Sequence, residues 1–400
     1  MPADFVDSFL ENVADVSSPT LFKKWTGIAT LAACMERKCW VRTRKGAVFP
    51  NLLTLLISSP GIGKTQAIDI AWDLWKATKK LHVAPKRLTS ASLVDALKDA
   101  EKIKKGDGKT FPSYEFHSLQ MALPEFGTFI QAHDLDMLNI INDIYDNPGE
   151  FSERRRHNNE GKELAVIQPQ LNILAGTQPA FLAQMLPEEA WGMGFTSRLI
   201  MVYSGQADDP GSLWTDVPQR SKADLLAQLT RVCDLYGQFE WTDAAKLGMD
   251  QLYKTGLQPI PDHSKLANYL PRRILHTLKL IMVSGVSRTG MLKIDVDDVA
   301  RGFGWLIEAE KAMPDIFREM VQKSDNDIIV ELHFTMWRSY MTNGEKPIHQ
   351  SMLYNFLQFR VPSEKISRII EVAERANFIK RFPLSNEHWI PQPKTKHGME

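Results

Sequence analysis

The sequence predicts an α/β fold: a parallel sheet with helices on both faces, then a helical domain, then a C-terminal winged helix-turn-helix. Three observations carry this. The apolar run 52–57 breaks into Ser58-Ser-Pro-Gly-Ile-Gly-Lys-Thr65, and a helix follows with apolar positions at Ile68, Ala71, Trp72, Leu74 and Trp75. That is a buried strand feeding a tight turn and a helix. Two more apolar strands, 171–175 and 199–204, alternate with helical stretches, as the units of a parallel sheet do. Beyond residue 221 the pattern turns almost wholly helical.

Taken in order, residues 4–37 read as helix, with apolar positions at Phe5, Phe9, Leu10, Val13, Leu21, Trp25, Ile28, Leu31 and Met35. A hairpin turning at Lys45-Gly46 comes next, then the strand and glycine loop. Residues 90–105 read as helix, with Thr89 or Ser90 as its cap, and 104–109 as a solvated loop. An apolar strand over 113–123 ends at Pro124-Glu125-Phe126-Gly127, and a helix runs from there to Tyr145. Residues 208–221, with two prolines and several acids, read as a linker. Helices are predicted over 222–236, 242–254, 272–287, 296–320, 328–341, 350–359 and 362–376, and β-prone stretches over 378–382 and 388–390. The last three helices and the small hairpin make the winged helix-turn-helix. The expected domains are a helical segment and hairpin (1–50), the sheet core (51–207), a helical lid (208–324), the winged helix (325–392) and a tail (393–400).

Composition bounds the function. With 48 basic and 48 acidic residues the chain has no global basic field, so any nucleic-acid contact must come from a local patch. The N-terminus has neither the basic flank nor the apolar core of a secretory signal, and no apolar stretch is long enough for a membrane span. The expectation is a cytoplasmic protein. Cys34 and Cys39 stand too far apart for a two-residue zinc knuckle, so the three cysteines read as reduced, buried thiols.

The loop 58–65 carries chemistry. Backbone N–H groups of a glycine loop at a helix start can cradle phosphates. Ser59, Pro60, Gly61, Ile62, Gly63, Lys64, Thr65 and Gln66 are the expected contacts to ATP, with Lys64 on the terminal phosphates and the Thr65 hydroxyl on Mg²⁺. Ser58 stands where the first glycine of the pattern usually is. Hydrolysis needs a carboxylate for the attacking water and a cation for the transition state. Glu125, just past a core strand, is placed as that carboxylate, although it also reads as an exposed helix cap. Pro124 fills the slot where a metal-holding Asp normally precedes it. Gln178, at the end of the 171–175 strand, can orient the water or report the γ-phosphate. Arg198 can act in trans as an arginine finger; a surface salt bridge is its alternative.

Between the Glu125 helix and that strand lies 151–167, two extended arms joined at Asn158-Asn-Glu-Gly161. Arg154, Arg155, Arg156, His157 and Lys162 cluster near its tip and suit a single-stranded DNA backbone. A solvated loop or a subunit contact is the alternative. Arg360, Lys365, Arg368, Arg375, Lys380 and Arg381 of the winged helix are mixed with Glu364, Glu371 and Glu374, which leaves duplex binding and protein docking both open.

These motifs resemble those of the MCM-type replicative helicases. Ser59–Gln66 looks like their phosphate loop, Pro124-Glu125-Phe126 like their Asp-Glu-Phe box with the Asp lost, and Leu174–Pro179 like their sensor strand. Ser197-Arg198 is similar to their finger motif, and the order along the chain agrees. Arg273 resembles the second-sensor arginine of the lid, with Arg272 as the alternative. The layout is also similar to the helicase-type ATPases of phages and plasmids. The resemblance implies an AAA+-type ATPase that works as a homo-oligomeric ring, a hexamer, with a basic hairpin in its channel. The leading expectation is an ATP-driven DNA motor of a phage or mobile element in a bacterial host, with a replication protein as a further partner. The alternative is an ATP-switched loader or initiator, or a DNA-binding scaffold, with slow hydrolysis.

Overall fold

The computed structural model describes residues 3–105, 113–130, 134–157, 160–186, 194–208, 222–358, 361 and 363–393. Most of the expected 208–221 linker, most of the 104–109 loop and nearly all of the tail lie outside these. The chain divides into two compact units, 1–317 and 318–400.

In the first unit, the helix expected over 4–37 is two: α1 (Phe5–Asn12) and α2 (Thr20–Met35). Pro19 stands at the N-cap of α2, and proline neither continues a helix nor lets the residue before it stay helical. β1 (Cys39–Thr43) and β2 (Gly46–Val48) form the expected hairpin, with Thr43 opposite Gly46.

The central sheet begins with β3 (Leu53–Ile57), buried at every position. It is followed by α3 (Lys64–Thr78), β4 (His82–Val83) and α4 (Ser90–Asp99), where Thr89 and Ser92 form a reciprocal capping box. The helix expected to reach 105 stops at Asp99. Glu101–Lys104 instead forms β5, paired antiparallel with β6 (Tyr114–Leu123). A sheet edge that offers a hydrogen-bond ladder overrides weak local helix propensity. Next come α5 (Leu135–Tyr145), the hairpin β7 (Glu150–His157) and β8 (Glu160–Ile167), then β9 (Pro169–Thr177), α6 (Pro179–Met185), the single turn α7 (Phe195–Arg198) and β10 (Ile200–Tyr203).

The strand order is β10-β3-β9-β6-β4, all parallel, with β5 antiparallel on β6. The connection β3 to β4 crosses the sheet in one direction, and β4 to β6 to β9 to β10 returns. Right-handed crossovers therefore put α3 on one face and α4 and α5 on the other. α2 packs against α3 and β9, whereas α4 and α5 pack against each other.

The rest of this unit is α8 (Ala223–Val232), α9 (Asp243–Lys254), α10 (Arg273–Thr289) and the start of α11 (Val296–Thr342). A Cβ on Gly302 of α11 would lie 2.7 Å from the Ile281 nitrogen, so only glycine allows these two helices their approach. Asp4 caps α1 and also accepts from Ser287 Oγ at 2.7 Å and from Arg301, pinning the N-terminal helix to α10 and α11.

The helices expected over 296–320 and 328–341 are one, and the unit boundary falls inside it, at 317/318 rather than at 324/325. The polar run Lys323–Asp327 reads as a break, yet it contains neither glycine nor proline to make one. The second unit continues with β11 (Ile348–His349), α12 (Gln350–Leu357), α13 (Ser363–Arg375), β12 (Ile379–Phe382) and β13 (Ser385–Pro391), in sheet order β11-β13-β12. Its core is built on Leu332, Met336, Leu353, Leu357, Ile369, Ala373, Ile379 and Trp389. Among the described residues no helix is long and apolar enough to cross a membrane.

Candidate nucleotide site and arginine cluster

Because β3, β9 and β6 are adjacent and parallel, the segments that leave their carboxyl ends emerge at one edge of the sheet. Ligands of open α/β sheets bind at that edge. Ser58–Thr65 leaves β3, Gln178 leaves β9, and Glu125 leaves β6. The register sets Ile57 beside Thr177 and Leu123 beside Ala175. Gly61 and Gly63 sit at φ of +83° and +77°, in the left-handed region that glycine takes without strain. A Cβ on Gly61 would stand in open space, whereas one on Gly63 would lie 2.1 Å from the Ser17 carbonyl oxygen. The loop is therefore open on one side, and the break between α1 and α2 packs against the other. Lys64, itself buried, donates at 2.9 Å to the carbonyl oxygens of Ser58 and Ser59 and to Ser58 Oγ. So Ser58, standing in place of a glycine, supplies two of the acceptors that hold the lysine across the loop. Thr65 is exposed in the first turn of α3.

Glu125 and Gln178 line one open cleft of about 390 Å³ with Gly127, Thr128, Ala180 and Phe181. Glu125 is exposed at the N-cap of the turn Phe126–Thr128, and its carboxylate makes no capping bond there. The Pro124 carbonyl rests on β9, where a Cβ on Gly176 would come within 2.5 Å of it. Gly176 thus lets the two strand ends, and with them Glu125 and Gln178, approach. Among the described residues no group of three or more His, Cys, Asp or Glu side chains could hold a metal.

Arg198 lies at the opposite edge. Its strand β10 pairs Ile200 with Thr54, which puts Arg198 about 17 Å from the loop end of β3 at roughly 3.3 Å per residue. No guanidinium spans that distance. It donates from Nη1 to Gly194 O at 2.7 Å and from Nη2 to Asp146 Oδ2 at 2.5 Å. Arg272 reaches the same carboxylate, at 2.7 Å and 3.1 Å. Burial would raise the Asp146 pKa, but the bonds and charges of Arg272 and Arg198 hold it below the usual carboxylate range.

Arg273, expected as the second sensor, is placed otherwise. It is buried, with Nε and Nη2 on Glu310 at 2.7 Å, Nη1 on Leu257 O and Nη2 also on Pro259 O. Tyr269 donates to the same Glu310. With every guanidinium nitrogen committed, Arg273 is a structural clamp, and Arg272 is the partly exposed arginine at this helix start.

His276 ties the start of α10 to the turn that carries Arg198, its Nε2 2.9 Å from Ser197 O and its ring stacked on Tyr269. A carbonyl partner requires a proton on Nε2, which the neutral ring supplies in its Nε2–H tautomer. Burial first, then the charges of Lys279, Arg272 and Arg273, pull its pKa down to about 3 against the bond to Ser197 that raises it. The unfolded chain binds this proton near pH 6.5 and the folded one does not. Its contribution is therefore complete above about pH 6.5 and is lost as the pH falls toward 3, by up to about 1.4 kcal/mol per unit. Urea unfolding of wild type and His276→Gln should show a shallower pH slope in the variant across that window. Equal slopes would mean that the histidine is protonated in the fold.

The hairpin is present, with Arg154 opposite Glu163, Arg155 opposite Lys162 and Arg156 opposite Gly161. Gly161 thus belongs to β8, and the connection is the two residues 158–159 rather than 158–161. Those two, and the side chains of Arg154, Arg155, Arg156, His157 and Lys162, lie outside the described residues. The root is held firmly: Arg37 donates to Pro169 O at 2.6 Å and to Asn147 O at 2.9 Å, one carbonyl on each side of it. All three cysteines are free and buried.

Two features of this site had only faint sequence signals. The turn Ser17-Ser-Pro19 against the loop was marked by its proline alone, and Asp146 by the turn residues Asn147-Pro-Gly that follow it. No protein-family model and no curated protein matches the chain.

Proposed function

We propose that this chain is an AAA+-type, ATP-hydrolysing motor that acts on single-stranded DNA as a ring of identical subunits. One observation carries the reading: loop 58–65, Glu125 and Gln178 share the carboxyl edge of the sheet, while Arg198 is held at the other edge, out of reach of its own loop. If a cation so placed serves a phosphate loop, that loop belongs to a neighbouring copy. In this reading the loop N–H groups and Lys64 bind the β- and γ-phosphates, and Thr65 Oγ1, with Glu125, would hold Mg²⁺. Bound Mg²⁺ supplies charge neutralisation at the phosphates. Glu125 takes the proton of the attacking water, Gln178 orients that water, and the neighbour's Arg198 stabilises the transition state. The helices of 222–317 act as the lid, and the second unit, three helices and a three-stranded sheet, is read as a winged helix for duplex or partner. Pro124 favours one second reading, a nucleotide switch or loader with slow hydrolysis, since it removes a metal-holding carboxylate.

The hairpin tests the DNA assignment. Neutralising Arg154, Arg155, Arg156 and Lys162 together should weaken single-strand binding for every sequence. It should also flatten the log–log salt dependence by roughly 0.7 for each DNA phosphate that the variant no longer neutralises. Basal ATP turnover should persist and its stimulation by DNA should fall. Full affinity with the original salt slope in that variant would move the DNA-binding surface to the second unit.

A further inference from the structure

Asp146 is the meeting point of three elements: the end of α5, the turn that carries Arg198, and the start of α10. Its two oxygens receive Nε and Nη2 of Arg198 at 3.3 and 2.5 Å, and Nη1 and Nη2 of Arg272 at 2.7 and 3.1 Å. Arg198 is thus gripped side-on and Arg272 end-on, each through two nitrogens, a bidentate hold that a lysine could not offer. The cluster is at the surface: the carboxylate is 43% exposed and the guanidinium side chains 12% and 25%. The base under it is fixed, since Gly194 O holds Arg198 from the other side and His276 holds Ser197 O.

Two cations on one anion leave a net positive face. Without the carboxylate the two guanidinium groups would repel each other and splay. With it, a phosphate arriving from outside can take Arg198 while Asp146 keeps Arg272, so no unpaired charge is left behind in a half-buried place. We propose that Asp146 is the positioning residue of the trans-acting arginine pair: it holds Arg198 and Arg272 together as one cationic face for the terminal phosphates bound by a neighbouring copy. This rests on the trans reading of Arg198.

The test is complementation between inactive subunits in a preparation shown to exchange them. Asp146→Asn should lower kcat by about 10²-fold, as expected when a reacting cation is displaced by an ångström or so, with little change in KM because Lys64 and the loop are intact. Mixed with Glu125→Gln, it should recover activity, since one interface then has Glu125 from one subunit and the whole arginine pair from the other. Mixed with Arg198→Ala it should not recover, because both defects lie on the same side of every interface. Asp146→Glu keeps the charge and should restore part of kcat; if Asp146→Asn does not fold, Asp146→Ser, which also removes the charge, replaces it in both mixtures. Recovery with Arg198→Ala, or with neither partner, overturns the proposal. The control mixture of Arg198→Ala with Glu125→Gln separates the two levels, because its failure would sink the trans reading itself.

Discussion

Lys64→Ala is expected to abolish ATP turnover, by on the order of 10²–10³-fold or more, while the chain keeps its fold. Removing one preorganised charge donor to a reacting phosphate costs at least this much. The fold should survive because Lys64 bonds to Ser58 and Ser59 of its own loop, and Ser58 Oγ keeps its own bond to the Ser59 carbonyl at 3.1 Å. Thermal unfolding within a few degrees of wild type, together with background hydrolysis, is the expected pair of results. Unchanged hydrolysis would remove this loop from consideration.

Arg198→Ala is expected to lower turnover on the order of 10³-fold or more, the usual scale for an arginine finger, without lowering nucleotide affinity in the same proportion. The geometry behind this is the length of β3, which separates Arg198 from its own loop. Titrating Arg198→Ala against Glu125→Gln should raise activity from two inactive proteins to a maximum at intermediate mixing, because one kind of interface then has both residues intact. A flat titration with proven subunit exchange would make Arg198 a structural partner of Asp146.

Much of the sheet was legible because buried parallel strands announce themselves as apolar runs. Leu53–Ile57, Tyr114–Leu123 and Pro169–Thr177 lie within two residues of the stretches read from sequence, and they lead into loop 58–65, Glu125 and Gln178 respectively. Strand order was not legible, since it depends on where crossovers return, and it is this order that puts Gln178 between the loop and Glu125. The errors have local causes. Ser17-Ser-Pro19 ended a helix whose apolar spacing continued across it, and Glu101–Lys104 followed a neighbouring strand instead of the helix before it. At the start of α10 the sequence offered two adjacent arginines, and a step of about 100° per helical residue sends them to different surroundings. One goes to a buried glutamate 37 residues later, the other to Asp146, 126 residues earlier. No sequence pattern encodes partners at such separations.

The most direct measurement of the central claim is ATP hydrolysis by the wild-type protein with and without a single-stranded oligonucleotide, with Lys64→Ala alongside. The expected result is hydrolysis that rises with the oligonucleotide and falls to background in Lys64→Ala under both conditions. Wild-type turnover indistinguishable from Lys64→Ala, or turnover that the oligonucleotide leaves unchanged, would contradict the reading of this chain as a DNA-driven ATPase.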